Sequence, residues 1–455
     1  MQYSPSRRTA LVLCGTGAHG AYHAGVLRAL QEAGVKVDVV AGQGIGAAGA
    51  VLAAIDGGAR LWEANGVWRS AQSSGFYRWT RGLQIIAWAL AGFVAASVAA
   101  LFLPPDLRWI DAVLVFALLA AAATTVVVSR WYARSRRASG GAWWGVFGAP
   151  FDARPTIDAF SQTVWQLIRG AARDVHPPRE AGRRYAEVLA ENLGQPGFRE
   201  LMIIATDLDA RSDVVAAMLR EPYRHEFMAP RPGRERRAEA LDLAGLGRDH
   251  ALDVMSAALT PPIVCEPRLV TFAADGFWRG ESHRLCERPA SVSRLFEELS
   301  GAGVSQLIVV TAVAAVAAPH RLRVPRLDLR SRLGEFMSAA EAAALRDAMD
   351  HAPLRFDSFY SICPAHNPVG PFDAGGAYDE ASDRRHTDVE LMERGYEDAY
   401  HQFIEPVVGA SGEMIANGTR HPDRSRGVPE THCARPFSSR PAVFLHLYLS
   451  RRPLG

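Results

Sequence analysis

The first 55 residues of the chain alternate between short apolar runs and glycine-rich turns. Residues 9–14 and 35–40 have the length of buried strands, and each run leads through glycines into a segment with helical character. In the first of these segments, apolar side chains recur at helical spacing at Val26, Leu27, Leu30 and Ala33. A right-handed crossover would place the two turns side by side at the carboxyl ends of parallel strands, where open α/β sheets bind ligands.

Similar patterns recur in the second half of the chain. Apolar runs predict strands at residues 201–204, 268–272 and 306–311. Helical periodicity predicts helices at residues 156–172, 252–258, 291–299, 339–350 and 389–403. This alternation predicts an α/β domain with a mostly parallel central sheet.

Two long apolar stretches interrupt the α/β pattern. Residues 83–103 carry no charge over about the twenty residues that a bilayer-spanning helix needs, and residues 112–129 are nearly as long. They predict a transmembrane hairpin, with the alternative that they are alanine-rich helices buried in a soluble protein. Tryptophans near the ends of both stretches favour the membrane, namely Trp79, Trp88, Trp109 and Trp131.

Arginines flank both outer ends of this hairpin. Arg69, Arg78 and Arg81 precede it, and Arg130, Arg134, Arg136 and Arg137 follow it. The connecting loop, in contrast, balances Arg108 against two aspartates. The positive-inside rule therefore predicts an inner-membrane protein whose α/β domain faces the cytoplasm.

Composition adds few constraints on function. The chain has 455 residues, and its 50 basic and 48 acidic residues nearly cancel, so no whole-chain field favours a nucleic-acid partner. Its five cysteines are widely spaced and form no ligand ladder, which predicts a reducing compartment and no metal site. No cofactor is expected. Beyond residue 418 the chain is rich in Arg, Pro, Ser and His, a composition that predicts a disordered tail.

The first glycine turn is built from Gly15, Thr16, Gly17, Ala18, His19 and Gly20. These residues match the dinucleotide fingerprint GxGxxG, so nucleotide binding is one alternative. A dinucleotide site also needs an acidic residue at the end of the second strand to hold the ribose. That strand ends in Ala41 and Gly42, whereas Asp38 stands at its start.

The second turn has the outline of a nucleophile elbow, GxSxG, which lifts a serine oxygen above the sheet. Gly42 and Gly46 occupy the outer positions, but Gly44 stands where the serine would be. A glycine offers no oxygen for attack on an ester, so nucleophilic catalysis by the usual route is excluded at that atom. Glycine does tolerate the unusual backbone angles of such a turn.

Taken together, these segments resemble the patatin-like phospholipases, a family of lipid acyl hydrolases. The family's oxyanion loop, GGGxRG followed by GAYxxGVLxAL, is similar to residues 15–30, with Thr16 and His19 as departures. The family's elbow, GTSAG, corresponds to residues 42–46, where the nucleophile is lost at Gly44.

The resemblance continues through the later segments. Residues 204–210 are similar to the family's ATDL strand, and residues 255–262 to its ASxAxP helix end. The family's catalytic aspartate lies in a DGG or DGA motif, which Asp275 and Gly276 match in part. Without the resemblance, Asp-Gly is more typical of a tight hairpin turn.

The resemblance implies a three-layer α/β/α fold, which the predicted hairpin interrupts as an insertion. The first part of the patatin-like domain would span residues 1–75, the transmembrane hairpin residues 76–137, the remainder of the domain residues 138–417, and the tail residues 418–455. In intact members the aspartate accepts the serine proton while amides of the glycine loop hold the oxyanion.

For this chain the expected function is a membrane-anchored patatin-like protein that binds acyl lipid or a protein partner with little hydrolysis. One alternative is an active acyl hydrolase that uses an Asp275-activated water or another nucleophile. A further alternative is a nucleotide-binding or scaffold protein. Thr16, His19 and His23 lie near the site and could replace the nucleophile, although such histidines are more often packing or surface residues.

Overall fold

The structure is a computed structural model that describes residues 3–100, 102, 104, 108–135, 148–170, 178–230, 236–276, 278–314, 328–380 and 382–409. The predicted tail at residues 418–455 lies outside the described residues, and so do Arg136 and Arg137. The helices and strands are numbered separately in chain order.

The strands are β1 (Thr9–Gly15), β2 (Val39–Gly44), β3 (Arg78–Trp79), β4 (Phe151–Asp152), β5 (Glu200–Asp207), β6 (Ser212–Met218), β7 (Ala238–Asp242), β8 (Arg268–Thr271), β9 (Ser282–Cys286), β10 (Gln306–Thr311), β11 (Ser358–Ile362), β12 (Ala377–Asp379) and β13 (Arg384–His386). The helices are α1 (Gly20–Glu32), α2 (Ile45–Ala54), α3 (Ala59–Trp62), α4 (Arg81–Ala100), α5 (Arg108–Ser135), α6 (Arg154–Ile168), α7 (Pro178–Asn192), α8 (Tyr223–Met228), α9 (Ala251–Ala258), α10 (Ser291–Gly301), α11 (Leu329–His351) and α12 (Asp388–Ala399). A π-helix, Tyr400–Val408, continues from α12.

Within the described part of the chain, nine strands form the central sheet. Seven of them follow the order β11-β10-β1-β2-β5-β6-β7, and the β8–β9 hairpin joins through β9 at the end of β5. The run from β11 to β5 is parallel throughout, and β6 is antiparallel to β5. The fold is therefore mixed α/β with a mostly parallel central sheet.

Helices cover both faces of this sheet, which is why its central strands are buried along their whole length. Every residue of β1, β2, β5 and β10 is buried. One core joins the sheet to α1, α2 and α12, and a second core joins its other face to α10 and the C-terminal half of α11. Apolar runs without alternation are the sequence signature of such doubly covered strands.

The strand prediction at residues 306–311 is confirmed, but the second strand was placed too early. The chain turns after α1 at Ala33 and Gly34, where Gly34 adopts φ +65° and the Val35 amide donates to the Leu30 carbonyl, and residues 35–38 connect this turn to β2. The strand β2 instead runs through its glycines to Gly44. Glycine weakens a strand on propensity alone, but close packing against α2 selects it here.

The helices α4 and α5 form the predicted hairpin and carry large exposed apolar side chains. Trp88, Phe116 and Trp131 are each more than 70% exposed. By length and composition alone, Arg81–Ala99 is long and apolar enough to cross a membrane, whereas the apolar stretch Ala112–Val128 is shorter. The transmembrane hairpin therefore remains a prediction, although α4 is exposed and is not a core helix.

Candidate functional site

The two glycine turns lie side by side, as predicted. Gly15 at the end of β1 is the register partner of Gly44 at the end of β2. Gly17–His19 then forms a single 3-10 turn that leads into α1, while Ile45 begins α2 directly after Gly44. Both turns therefore open at the carboxyl edge of the parallel sheet, where this fold class binds ligands.

The second turn has the backbone of an elbow without its nucleophile. Gly44 adopts φ +62° and ψ −134°, a conformation that side chains rarely accept. A Cβ added at Gly46 would overlap the Leu13 carbonyl oxygen, and one at Gly42 would overlap Gly46. The small residues therefore allow β2 and α2 to approach β1 closely.

The carboxyl group of Glu287 fills the space above Gly44. A Cβ at Gly44 would overlap Glu287 Oε1 and the Gly15 carbonyl oxygen, and would stand 3.0 Å from Glu287 Cδ. Glu287 is 1% exposed and follows β9, whose end pairs with β5. The Thr16 hydroxyl donates to Oε1, and Gln43 Nε2 donates to the same oxygen at 3.2 Å.

Burial decides the protonation of Glu287. Desolvation raises the pKa of this carboxyl well above its ordinary value, and the charge of Glu341 raises it further, while the hydrogen bond from Thr16 opposes the rise. The space that a Cβ at Gly44 would need is thus occupied by a carboxyl group that favours its neutral form. A buried neutral acid of this kind is a poor nucleophile and a poor general base at neutral pH.

The glycine loop is also occupied, by a backbone carbonyl. The Ala18 amide donates to the Pro371 carbonyl oxygen at 2.8 Å, and a Cβ at Gly17, where φ is +59°, would overlap that same oxygen. We call residues 367–373 the covering segment. An amide that would polarise a substrate carbonyl in an oxyanion hole is thereby already satisfied within the chain.

The two histidines near the loop are buried and differ in their surroundings. His23 Nε2 lies 2.9 Å from the Cys14 carbonyl oxygen, and burial lowers the pKa of His23 to about 3, so its neutral ring joins α1 to β1. His19 is 2% exposed, and its Nδ1 lies 3.5 Å from Glu341 Oε2 without a hydrogen bond. His23 is therefore a packing residue, whereas His19 faces another ionisable group.

Asp275 lies in the connection between β8 and β9. It is exposed in a turn closed by the Gly276 amide, which donates to the Ala273 carbonyl oxygen, and this connection spans residues 272–281, so it is longer than the tight hairpin that Asp-Gly favours. Among the described residues, no hydrogen bond or ion pair joins Asp275 to the glycine loop or to the elbow. The structure therefore brings together the loop, Gly42, Gly44 and Gly46, whereas the catalytic role of Asp275 stays a prediction.

Two residues of the site were missed at the level of sequence, Glu287 and Pro371. Glu287 follows the short segment Ser282–Cys286, whose pattern gave no strand prediction. An acidic residue directly after a strand that joins the sheet is a signal that could have identified it. Pro371 acts through its backbone oxygen, for which a side-chain pattern carries no signal.

Comparison with known proteins identifies one family. The family model described as patatin-like phospholipase matches residues 11–108, which contain both glycine turns and α4. A search of the curated proteins found no match. Among solved structures, the crystal structure of VipD from Legionella pneumophila aligns with 12% identity and a TM-score of 0.30, over 90% of this chain and 68% of that chain. A likeness that weak supports no conclusion, so the family rests on the match to residues 11–108.

Proposed function

Because residues 11–108 place this chain in the patatin-like phospholipase family, we propose that it is a membrane-anchored acyl-lipid-binding protein that does not hydrolyse esters at its elbow. The family is one of lipid acyl hydrolases, so lipid is the substrate class from which a binding function would derive. We therefore expect the chain to bind acyl lipid without hydrolysing its ester bonds.

One observation carries the loss of hydrolysis, namely the overlap between Glu287 Oε1 and the position of a Cβ at Gly44. An acyl-transfer site needs a nucleophile at the elbow and free amides for the oxyanion. Here the elbow has no side chain, its space is filled by a buried carboxyl group, and the Ala18 amide is taken by Pro371. Restoring the serine alone would therefore not restore the site.

The membrane anchor is supported by the exposure and composition of α4. Its window Arg81–Ala99 is long and apolar enough to span a bilayer, and only 6% of it is buried. Exposed apolar surface on this scale marks a membrane or protein interaction site. The bilayer is favoured because arginines flank the hairpin on both sides and tryptophans lie near its ends.

Nucleotide binding is the weaker alternative for the glycine loop. A pyrophosphate on a GxGxxG loop needs close approach to the second glycine and free amides at the helix N-terminus. The approach to Gly17 is blocked by the Pro371 carbonyl, which also accepts from Ala18.

The test is ester hydrolysis by the purified full chain, with a fluorogenic short-chain acyl ester and a fluorophosphonate label. We expect no labelling of the parent, and turnover no higher than the roughly 10³- to 10⁴-fold enhancement that serine hydrolases keep without their nucleophile. The Gly44→Ser variant should also fail, because its side chain would overlap both Glu287 and Gly15. The double variant Gly44→Ser/Glu287→Ala removes one of these overlaps and should label more than Gly44→Ser.

Efficient turnover by the parent would contradict the proposal. If that turnover were lost in Asp275→Asn and kept in Asp347→Asn, an exposed matched control on α11, the alternative of an Asp275-dependent hydrolase would replace it. If Asp275→Asn kept the turnover, another nucleophile would be responsible.

A further inference from the structure

A second crevice opens at the carboxyl edge of the sheet, one strand away from the elbow. The chain leaves β1 toward β2 on one side, and it leaves β10 toward β11 on the other side. The boundary between β1 and β10 is therefore a topological switch point, where connections diverge and open α/β sheets form ligand crevices. A cavity of about 200 Å³ lies there, between His19 after β1, Ala312–Ala314 after β10, helix α11 and the covering segment.

The innermost part of this crevice holds two buried ionisable groups. His19 lines the cavity and Glu341 lies beside it, and each residue is only 2% exposed. His19 Nδ1 and Glu341 Oε2 are 3.5 Å apart, and neither atom makes a hydrogen bond within the described part of the chain. Burying polar atoms without hydrogen bonds costs about 1–3 kcal/mol each, so a polar ligand that reaches them would gain from satisfying them.

The helix α11 lines the cavity with hydroxyl and carboxylate groups. Ser331, Glu335 and Ser338 lie on one face of this helix at i, i+4 and i+7 spacing. The Glu335 carboxylate makes no ion pair with the described residues. Asp373 of the covering segment adds a second carboxylate, whose charge is partly offset by the nearby Arg330.

The charges exclude one class of ligand and favour another. Phosphates and carboxylates would meet the carboxylates of Glu335 and Asp373 and be repelled. A cation would be attracted to the same groups. A hydroxyl group on that cation could exchange hydrogen bonds with Ser331 and Ser338. The cavity is smaller than the roughly 300–1,000 Å³ of drug-sized sites, so the ligand must be small.

We propose that the crevice between β1 and β10 binds a small organic ammonium ion that carries a hydroxyl group, in the manner of ethanolamine. The ammonium group lies near Glu335, and the hydroxyl lies among Ser331 and Ser338. This site is separate from the elbow and goes beyond the proposed function, because it would bind its ligand whether or not esters are hydrolysed. The ammonium can come from a free amine or from a lipid headgroup.

The first arm of the test is calorimetric titration of the full chain with ethanolamine. Ethylene glycol is the matched neutral ligand, since it keeps a hydroxyl and lacks the ammonium. We expect ethanolamine to bind measurably tighter than ethylene glycol, and Glu335→Gln to weaken it roughly fivefold. The control is Asp350→Asn, which makes the same charge change on the same helix about 20 Å from Glu335.

Equal binding of the two ligands would overturn the proposal, and so would equal effects of Glu335→Gln and Asp350→Asn. Ser338→Ala provides a second variant that changes the crevice without changing charge. It should weaken the binding of ethanolamine while keeping the preference for ethanolamine over ethylene glycol.

The second arm of the test compares binding to vesicles of phosphatidylethanolamine and of phosphatidylglycerol. A Glu335-dependent preference for phosphatidylethanolamine identifies a headgroup, whereas binding of free ethanolamine without that preference identifies a free amine. Neither result depends on hydrolysis, so failure here leaves the ester assay unaffected.

Discussion

At the scale of single residues, the centre of the site is defined by Gly44 and Glu287. Gly44 carries no side chain, and the carboxyl group of Glu287 fills the space beside it. Thr16 and Gln43 donate hydrogen bonds to that carboxyl group. Without these bonds, the buried carboxyl oxygen would have no hydrogen-bond donor from either residue. The change at Gly44 and the position of Glu287 are thus coupled.

This coupling predicts how stability depends on pH. Burial raises the pKa of Glu287 well above its ordinary value, so the folded state keeps the proton to higher pH than the unfolded state does. The free energy of unfolding contributed by Glu287 therefore falls as pH rises above about 4.3, by up to about 1.4 kcal/mol per pH unit, until the folded-state pKa is passed. Glu287→Gln removes this loss, so its stability relative to the parent should rise with pH.

Urea unfolding of both proteins between pH 4.5 and pH 8 measures this difference. The matched control is Glu191→Gln on the exposed surface of α7, whose difference from the parent should stay flat. A flat difference for Glu287→Gln as well would mean that Glu287 is ionised in the folded protein. The buried Gln43 Oε1, which has no hydrogen-bond partner in the described structure, is an acceptor for the new amide.

The same residues show where sequence reasoning succeeds and where it fails. Gly15, Gly42, Gly44 and Gly46 could be predicted because each is required by a local turn or a close approach. Glu287 could not, because more than 240 positions separate it from Gly44 and tertiary contacts, such as the pairing of β9 with β5 and the hydrogen bond from its amide to the Thr260 carbonyl, bring it there. Asp275 matched a local motif, but a motif does not determine whether its hairpin turns toward the site.

At the scale of elements, the site depends on how α1 is held over the sheet. The helix α12 crosses α1 with backbones in contact, because a Cβ at Gly25 would overlap the Met392 carbonyl and one at Gly395 would overlap the Tyr22 carbonyl. Tyr22 also donates to Asp398 at 2.9 Å, and Tyr396 donates to Glu32 at 2.7 Å. The N-terminus of α1 carries the glycine loop, so this crossing positions the loop.

We predict that Gly395→Ala destabilises the protein by about 1–3 kcal/mol, since the added methyl group must displace backbone. Alanine normally stabilises a helix interior by up to about 1 kcal/mol relative to glycine, so the sign here is opposite to propensity. Gly82→Ala in α4 is the control, because its Cβ would meet nothing within 4 Å. Thermal unfolding of the two variants measures the difference, and equal melting temperatures would show that α12 can move away from α1 at no cost.

The periodicity of residues 389–403 predicted α12 but not its partner. Apolar spacing identifies the buried face of a helix, and several helices in this chain have such a face. The choice of α1 depends on the matched glycines, which are informative only once both helices are known. The continuation of α12 as the π-helix Tyr400–Val408, which contains Pro406, is likewise set by packing against the core through Phe403 and Ile404.

At the scale of the whole molecule, a doubly covered sheet carries an exposed apolar hairpin. The mostly parallel order could be predicted, because uninterrupted apolar runs separated by helices are typical of parallel sheets. The antiparallel pairing of β5 with β6 and the β8–β9 hairpin could not, since residues 212–218 and 282–286 gave no strand prediction and the direction of pairing depends on the connections. The helical hairpin of α4 and α5 was predicted from the length of its apolar stretches and from their lack of charge.

The proposed anchor gives a prediction about the intact protein. Leu90 and Leu119 lie near the middle of the apolar stretches in α4 and α5 and are 64% and 53% exposed. An arginine at the centre of a spanning helix costs about 2.5–3.5 kcal/mol, so Leu90→Arg/Leu119→Arg should shift the protein from the membrane fraction to the soluble or aggregated fraction. Flotation of reconstituted vesicles on a density gradient measures this shift.

The control for this experiment is an arginine on the α/β body. Leu354 is 84% exposed, and it lies after α11 and outside the hairpin, so Leu354→Arg is the control for Leu90→Arg and Leu119→Arg made singly, each of which adds one charge at an exposed site. If the hairpin is the anchor, Leu354→Arg should float with the vesicles as the parent does. If the parent itself fails to float, or if the hairpin variant floats equally well, the apolar surface of α4 and α5 must be covered by protein, and the lipid-facing part of the proposal is wrong.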